Sequence, residues 1–267
     1  GYKALLDRNC DKEGLCEFSG DKEKILDLCL FKTNKSEGKY IRLSEYISRM
    51  KPNQDSVYFL SGDNFEAISK SPQLEIFNEK DLEVLLLDDA VDDFWVTSNP
   101  TFKEKTFKAV TRVTDELEKI ETPNEDKSAK SKKEKETKKF EKDLKDLVEF
   151  MKETLTDNVS DVRISHKLKT SPVCLAVSET GMDIRMERMM MEQGQIKEAS
   201  KKILEINPNH NIIKGLDSKF QADKKDIFLA DAIRTLFDQA CIIEGENIKD
   251  PLSLVERIGS LLEKQVA

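Results

Sequence analysis

The sequence predicts a mixed α+β/α/β chain: a βαβ-type segment, then an α+β domain with a small sheet, closed by a helical hairpin. Three observations predict it. Val57-Tyr58-Phe59-Leu60 and Glu83-Val84-Leu85-Leu86-Leu87 are short apolar runs with helical periodicity between them, which is strand, helix, strand. Val173, Leu175 and Val177 alternate, as a half-buried strand does. Residues 226–266 carry two apolar stripes at helical spacing with a glycine turn between them.

In chain order, Ile25, Leu26, Cys29 and Leu30 form a helical stripe over residues 21–31, and Leu43, Tyr46, Ile47 and Met50 form another that Pro52 ends. The Val57–Leu60 run is rich in β-branched and aromatic residues and reads as a buried strand. Asp63 is the expected cap of a helix holding Phe65, Ala67 and Ile68; Ser71-Pro72 breaks it, and further helix runs towards Asn78. Glu83–Leu87 is apolar on both faces, as a parallel strand between helices is. Residues 119–143 are dominated by Lys, Glu, Ser and Thr of both signs, which marks a solvated linker or exposed helix. Division therefore falls into 1–120, a linker at 121–140, and 141–267.

Beyond the linker, Leu144, Leu147, Val148 and Met151 give a helix its buried face. Val159, Val162 and Ile164 suggest a strand, the Val173 run a second, and Ile203, Leu204 and Ile206 a third. Asn207-Pro208 is a cap followed by proline at the first helical position, ahead of Ile212 and Ile213. In the terminal hairpin, Leu229, Ile233, Leu236, Phe237 and Ala240, with Ile243, form the first stripe. Gly245 stops that helix and Asp250-Pro251 starts the next, whose stripe is Leu252, Val255, Ile258 and Leu262, with Val266. Two helices alone leave an apolar groove open. A second copy of the hairpin closes it as a four-helix bundle across a two-fold axis, so a homodimer is expected.

Composition narrows the function. The 267 residues suffice for two domains with cores. A net charge of -8 argues against nucleic acid, which needs a basic surface. No apolar run approaches the roughly 20 residues that span a bilayer. The chain begins with Gly1 inside a helical pattern, so a piece of a longer protein is expected. Cys10, Cys16, Cys29, Cys174 and Cys241 are odd in number and form no CxxC pair, as expected of reduced thiols in a cytoplasmic protein. His166 and His210 lie far apart, without cysteines at ligand spacing, so no metal site is expected.

Little in the chain carries catalytic chemistry. It lacks a phosphate-cradling glycine loop, GxSxG and HExxH. Asp88-Asp89 and Asp92-Asp93 follow the second strand, at the sheet edge where α/β proteins bind ligands. A small-molecule enzyme using Asp88–Asp93 is the alternative they permit; helix-capping aspartates in a solvated turn are the commoner reading. Met182, Met186, Met189 and Met190 fall on one helical face, with Met191 beside them. Such a face is more often core, but four methionines are unusual there. An adaptable surface is the competing reading, because the unbranched, polarizable side chain repacks around many apolar partners. Phe94 and Trp95 are adjacent, so one can be core and the other exposed.

Longer stretches resemble a known family. Leu43-Ser44-Glu45-Tyr46-Ile47-Ser48-Arg49-Met50-Lys51 with Val57–Gly62, Lys70-Ser71-Pro72-Gln73-Leu74-Glu75, and Glu83–Asp88 with Val91–Val96 resemble the heat-shock protein 90 chaperones, nearest their bacterial form. So do Val162-Arg163-Ile164-Ser165, Ser171-Pro172, the methionine helix and Leu204–His210. The resemblance implies that 1–120 is the C-terminal part of a middle domain and 141–267 a C-terminal dimerisation domain. It implies a cytoplasmic, ATP-dependent stress-response chaperone in which ATP and Mg belong to the full-length protein. This chain, lacking the nucleotide-binding domain, would hold neither cofactor and would not be an enzyme. Expected partners are a second copy, non-native client proteins and co-chaperones, with neither nucleic acid nor membrane. Client contacts would fall on Phe94, Trp95, Met182, Met186, Met189 and Met190. The ending Glu263-Lys264-Gln265-Val266-Ala267 departs from the acidic peptide of the eukaryotic cytosolic form, which points to a bacterial or organellar origin. A purely structural dimerisation module is the remaining alternative.

Overall fold

A computed structural model describes residues 22–99, 101–113, 117, 120, 139–140, 142–178 and 180–266. The chain divides into two compact units, 1–123 and 124–267. Residues 121–138 of the expected linker, together with Cys10 and Cys16, lie outside the described residues.

In the first unit, α1 (Lys22–Leu28) leads into β1 (Leu30–Thr33), β2 (Ile41–Arg42) and α2 (Leu43–Ser48). Then come β3 (Ser56–Ser61), α3 (Phe65–Ser69), a 3-10 turn at Pro72–Leu74, α4 (Glu75–Glu79), β4 (Leu85–Leu87) and α5 (Ala90–Ser98). The hairpin of β5 (Thr101–Phe102) and β6 (Lys105–Ala109) follows. The strands form one sheet in the order β2-β1-β4-β3-β6-β5. Its centre, β4-β3-β6, is parallel, with Phe59 opposite Leu85 and Val57 opposite Phe107. The outer pairings are antiparallel. Buried side chains lie on both faces: Phe31, Phe59 and Trp95 on one, Tyr58, Phe77 and Leu86 on the other.

Three local expectations need correction. The stripe over 21–31 is not one helix: α1 stops at Leu28, and Leu30 opens β1, whose burial alternates. The α3 cap is Asn64, whose side chain accepts from the Ala67 amide at 2.9 Å, and not Asp63. The strand at Glu83–Leu87 is shorter, starting at Leu85, because the Val84 amide donates to the Asn34 side chain at 2.8 Å, and the buried Glu83 carboxylate accepts from Arg49 (2.9 Å) and Thr33 (2.8 Å). The Tyr46 hydroxyl donates to the Glu83 carbonyl at 2.7 Å and accepts from the Tyr58 amide, which ties α2 to the sheet.

The second unit comprises α6 (Lys145–Thr154), β7 (Val159–Ile164), β8 (Val173–Ala176), α7 (Ile184–Glu192), β9 (Lys202–Ile206), α8 (Asn211–Ala222), α9 (Ile227–Glu244) and α10 (Pro251–Val266). The sheet order is β7-β9-β8, parallel at β7·β9 and antiparallel at β8·β9. Its core joins α6, the sheet, α8 and α9 through Leu147, Met151, Leu204, Ile213, Leu229 and Ile233. The α8 cap is His210, whose Nδ1 accepts from the Ile212 amide at 3.1 Å. Asn207 instead binds the Asn209 amide and the Ser171 carbonyl. Under the sheet, Glu205 takes Arg163 at 2.6 Å, the Ser165 hydroxyl at 3.0 Å and Lys167 at 3.3 Å. Burial pushes the Glu205 pKa up, but Lys167 and Arg163 outweigh it and hold the carboxyl below its ordinary value. Burial, and next the Glu205 charge, raise the Cys174 thiol, so this thiol is protonated packing.

Candidate functional site

The acidic edge after β4 is consumed by the fold. Asp88 pairs with Lys32 at 2.9 Å. Asp89 caps α5 in a capping box with Asp92. Asp92 Oδ1 also accepts from Trp95 Nε1 at 2.6 Å, and Asp93 is buried. Carboxylates committed to caps, an indole and an ion pair are poorly placed to act on a substrate, which favours the capping reading.

That Asp92 bond separates the two aromatics. Trp95 is 0% exposed, its ring 5.4 Å from Phe31 and 5.3 Å from Phe107. Its indole therefore offers no surface to a partner in this conformation. Phe94, on the opposite side of α5, is 38% exposed. The first unit's candidate contact narrows to Phe94.

The methionine helix is α7, which begins at Ile184; Asp183 is its cap, accepting from the Arg185 amide at 3.1 Å, and Met182 precedes it. Ile184, Arg185 and Glu187 are buried. Glu187 pairs with Lys202 and accepts from the Ser200 amide at 3.0 Å. At 100° per residue, Met186, Met189 and Met190 point 140–240° away from the buried Ile184, with Arg185 and Glu187 flanking them. They are half-buried, Met182 is exposed, and none of the four belongs to the second unit's buried core. The core-facing expectation for this face is thus corrected to a partly open one. Ionic anchors pin the inner face, and so the outer face need not be filled for the helix to stay in place.

The hairpin divides along its turn. Asp226 caps α9 through the Phe228 amide at 2.9 Å, and Gly245 ends it in the left-handed conformation at φ 73°. Leu229, Ile233, Leu236 and Ala240 are buried inside their own unit, with Phe237 half-buried against the same core. Of the nine residues expected at an interface between copies, these five pack at home. The other four, Leu252, Val255, Ile258 and Leu262 on α10, are 42–69% exposed, and Ile242 and Ile243 at the end of α9 are exposed too. Asp250 caps α10, accepting from the Ser253 amide at 3.0 Å. The helix is tied to α9 by the Arg257–Asp238 ion pair, and its Leu254 is buried. Ile242 was missing from the predicted stripe because it lies off the helical face that the core residues define.

Among the described residues no group of three metal-ligating side chains converges, and no helix is long and apolar enough to cross a membrane. Two of the left-handed glycines turn their amides inward to the chain. The Gly194 amide donates to Met191 and the Gly245 amide to Ile242.

Fold and surfaces together define a mixed α+β protein that leaves large apolar side chains exposed on α10, at the end of α9 and just ahead of α7. The comparisons identify its family. Residues 8–267 match the family described as Hsp90 protein, and the chain belongs to that family. It is 42% identical over 255 residues to "Chaperone protein HtpG" of Rickettsia canadensis (strain McKiel), across 96% of this chain and 40% of that protein. The same figures hold for the protein of that name from Rickettsia massiliae (strain Mtu5). The one from Rickettsia rickettsii (strain Sheila Smith) is 41% identical over the same extent. The chain thus spans about 40% of the length of these relatives.

Proposed function

We propose that this chain is the part of an Hsp90-type chaperone that joins two protomers and holds non-native client proteins. Residues 1–120 would be the C-terminal part of its middle domain and 141–267 its dimerisation domain. The observation that carries the reading is α10, which exposes Leu252, Val255, Ile258 and Leu262 on one face. A monomer rarely leaves so continuous an apolar stripe in water. A second copy of α10, with the ends of α9, covers it symmetrically as a four-helix bundle. Clients would meet Met182, Met186, Met189, Met190 and Phe94, with Trp95 supporting Phe94 from the core. Two weak patches per protomer, doubled by the dimer, gain avidity without strong single contacts. ATP turnover belongs to the rest of the longer protein; ATP, Mg and co-chaperones are partners of that whole, in the cytoplasm.

Sedimentation velocity on the 267-residue chain, alongside suppression of aggregation of a denatured model client, tests this. A dimer that suppresses aggregation is the expected result. A dimer with no such effect leaves only the structural module; a chain monomeric at all concentrations removes the leading reading. Saturable ATP hydrolysis that a point mutation in this chain abolishes would overturn the assignment of ATPase chemistry elsewhere.

A further inference from the structure

The end of α9 touches both candidate surfaces of the second unit. A helix C-terminus leaves carbonyls without intrahelical partners. At the α9 terminus the Gly245 amide returns to the Ile242 carbonyl and the Glu246 amide to the Cys241 carbonyl. The carbonyls of Glu244 and Gly245, next in line, are taken by a residue distant in sequence. Arg188 of α7 places Nη1 3.4 Å from the Glu244 oxygen and 2.5 Å from the Gly245 oxygen. A cation there also complements the negative end of the helix dipole. The approach is so close that a Cβ built on Gly245 would displace the guanidinium from its present position, and the positive φ of 73° independently favours glycine here.

Arg188 lies on the anchored side of α7, in line with Ile184. Six residues beyond Gly245, Pro251 begins α10. That helix is tied to α9 by the Arg257–Asp238 pair, while Leu252, Val255, Ile258 and Leu262 on its apolar face are open. Anything that covers that face fixes α10, then the turn, then the carbonyls that Arg188 grips.

We propose that Arg188 couples the methionine helix to dimerisation: pairing of α10 with a second copy orders the 244–250 turn and, through Arg188, the placement of α7. The inference rests on the dimer reading above. Coupling is reciprocal, so loosening α7 from the turn must weaken the dimer by the factor that dimerisation steadies α7. Arg188 is thereby a positioning residue for the client-binding face.

The test is hydrogen exchange on the 267-residue chain at concentrations on both sides of its dimer dissociation constant, with the constant itself from analytical ultracentrifugation. In the wild type, amides of 184–192 should slow on dimerisation, relative to those of β7 and β9. Arg188→Ala should remove that dependence and weaken the dimer about 10-fold. Arg188→Lys, which keeps a donor, should restore part of both. The wild-type series needs no variant, so an unstable Arg188→Ala does not stall it. A chain that dimerises while 184–192 exchange ignores dimerisation overturns the coupling alone, as does an Arg188→Ala chain that keeps it. A chain that never dimerises overturns the dimer reading and the coupling together.

Discussion

Helices α9 and α10 carry apolar stripes of similar spacing, and the fold treats them in opposite ways. Leu229, Ile233, Leu236 and Ala240 of α9 close the core of their own unit. Leu252, Val255, Ile258 and Leu262 of α10 face water. An amphipathic period states that a helix has a face to cover, not what covers it. Here the first helix is used to finish a domain and the second keeps its stripe exposed. The same contrast holds on a smaller scale between Trp95 and Phe94, neighbours in sequence and opposites in burial.

The largest effect that could break the comparison is at Leu236, which is 5% exposed within the core. Leu236→Asp puts an unpaired charge there and should cost about 3–5 kcal/mol, enough to unfold a marginal domain. Thermal melts should collapse. A folded monomer would instead mean that α9 faces the partner after all.

Next in size is the paired change Leu252→Glu with Val255→Glu. Both positions are exposed, so the melt of the isolated protomer should move little, while like charges meeting across the two-fold should weaken association by about 100-fold or more. Sedimentation at rising concentration reads this directly. An undiminished dimer puts the interface elsewhere.

Smaller still is the expected stability change in Met186→Ser with Met190→Ser. These half-buried side chains lie outside the core, so the loss should stay near or below about 1 kcal/mol each, while client protection falls. A collapsed melt would show that the methionine face is structural.

The smallest effect is at the α9–α10 link. Burial raises the Asp238 pKa, and Arg257 offsets only part of the rise. A carboxyl raised in the folded state contributes stability that is full below its unfolded pKa of roughly 3.9 and is lost as pH rises through the folded value. Asp238→Asn should therefore change stability by less than about 1 kcal/mol at pH 7. The wild type should gain on the variant as pH falls towards 4. A wild type that instead loses ground to the variant as pH falls would argue that the ion pair, and not burial, governs this carboxyl.

Much of this molecule was legible before its fold was known. Strands at Val57–Leu60 and Val173–Ala176, the Gly245 stop, the Asp250-Pro251 start and the Asp89 cap all follow from neighbours a few residues apart. Their physics is local: backbone conformation, orphan amides and side-chain period. What only the tertiary structure decided involves partners far along the chain. The short strand β1 exists because β4 offers it an edge to pair with, and β2 because β1 then does the same, not because their own pattern demands it. Trp95 is buried because Asp92, Phe31 and Phe107 meet it. Arg188 finds Gly245 across 57 residues, a contact without any local signature. Sequence by itself fixed which residues share a face; the packing of one element on another decided which faces were left over for function.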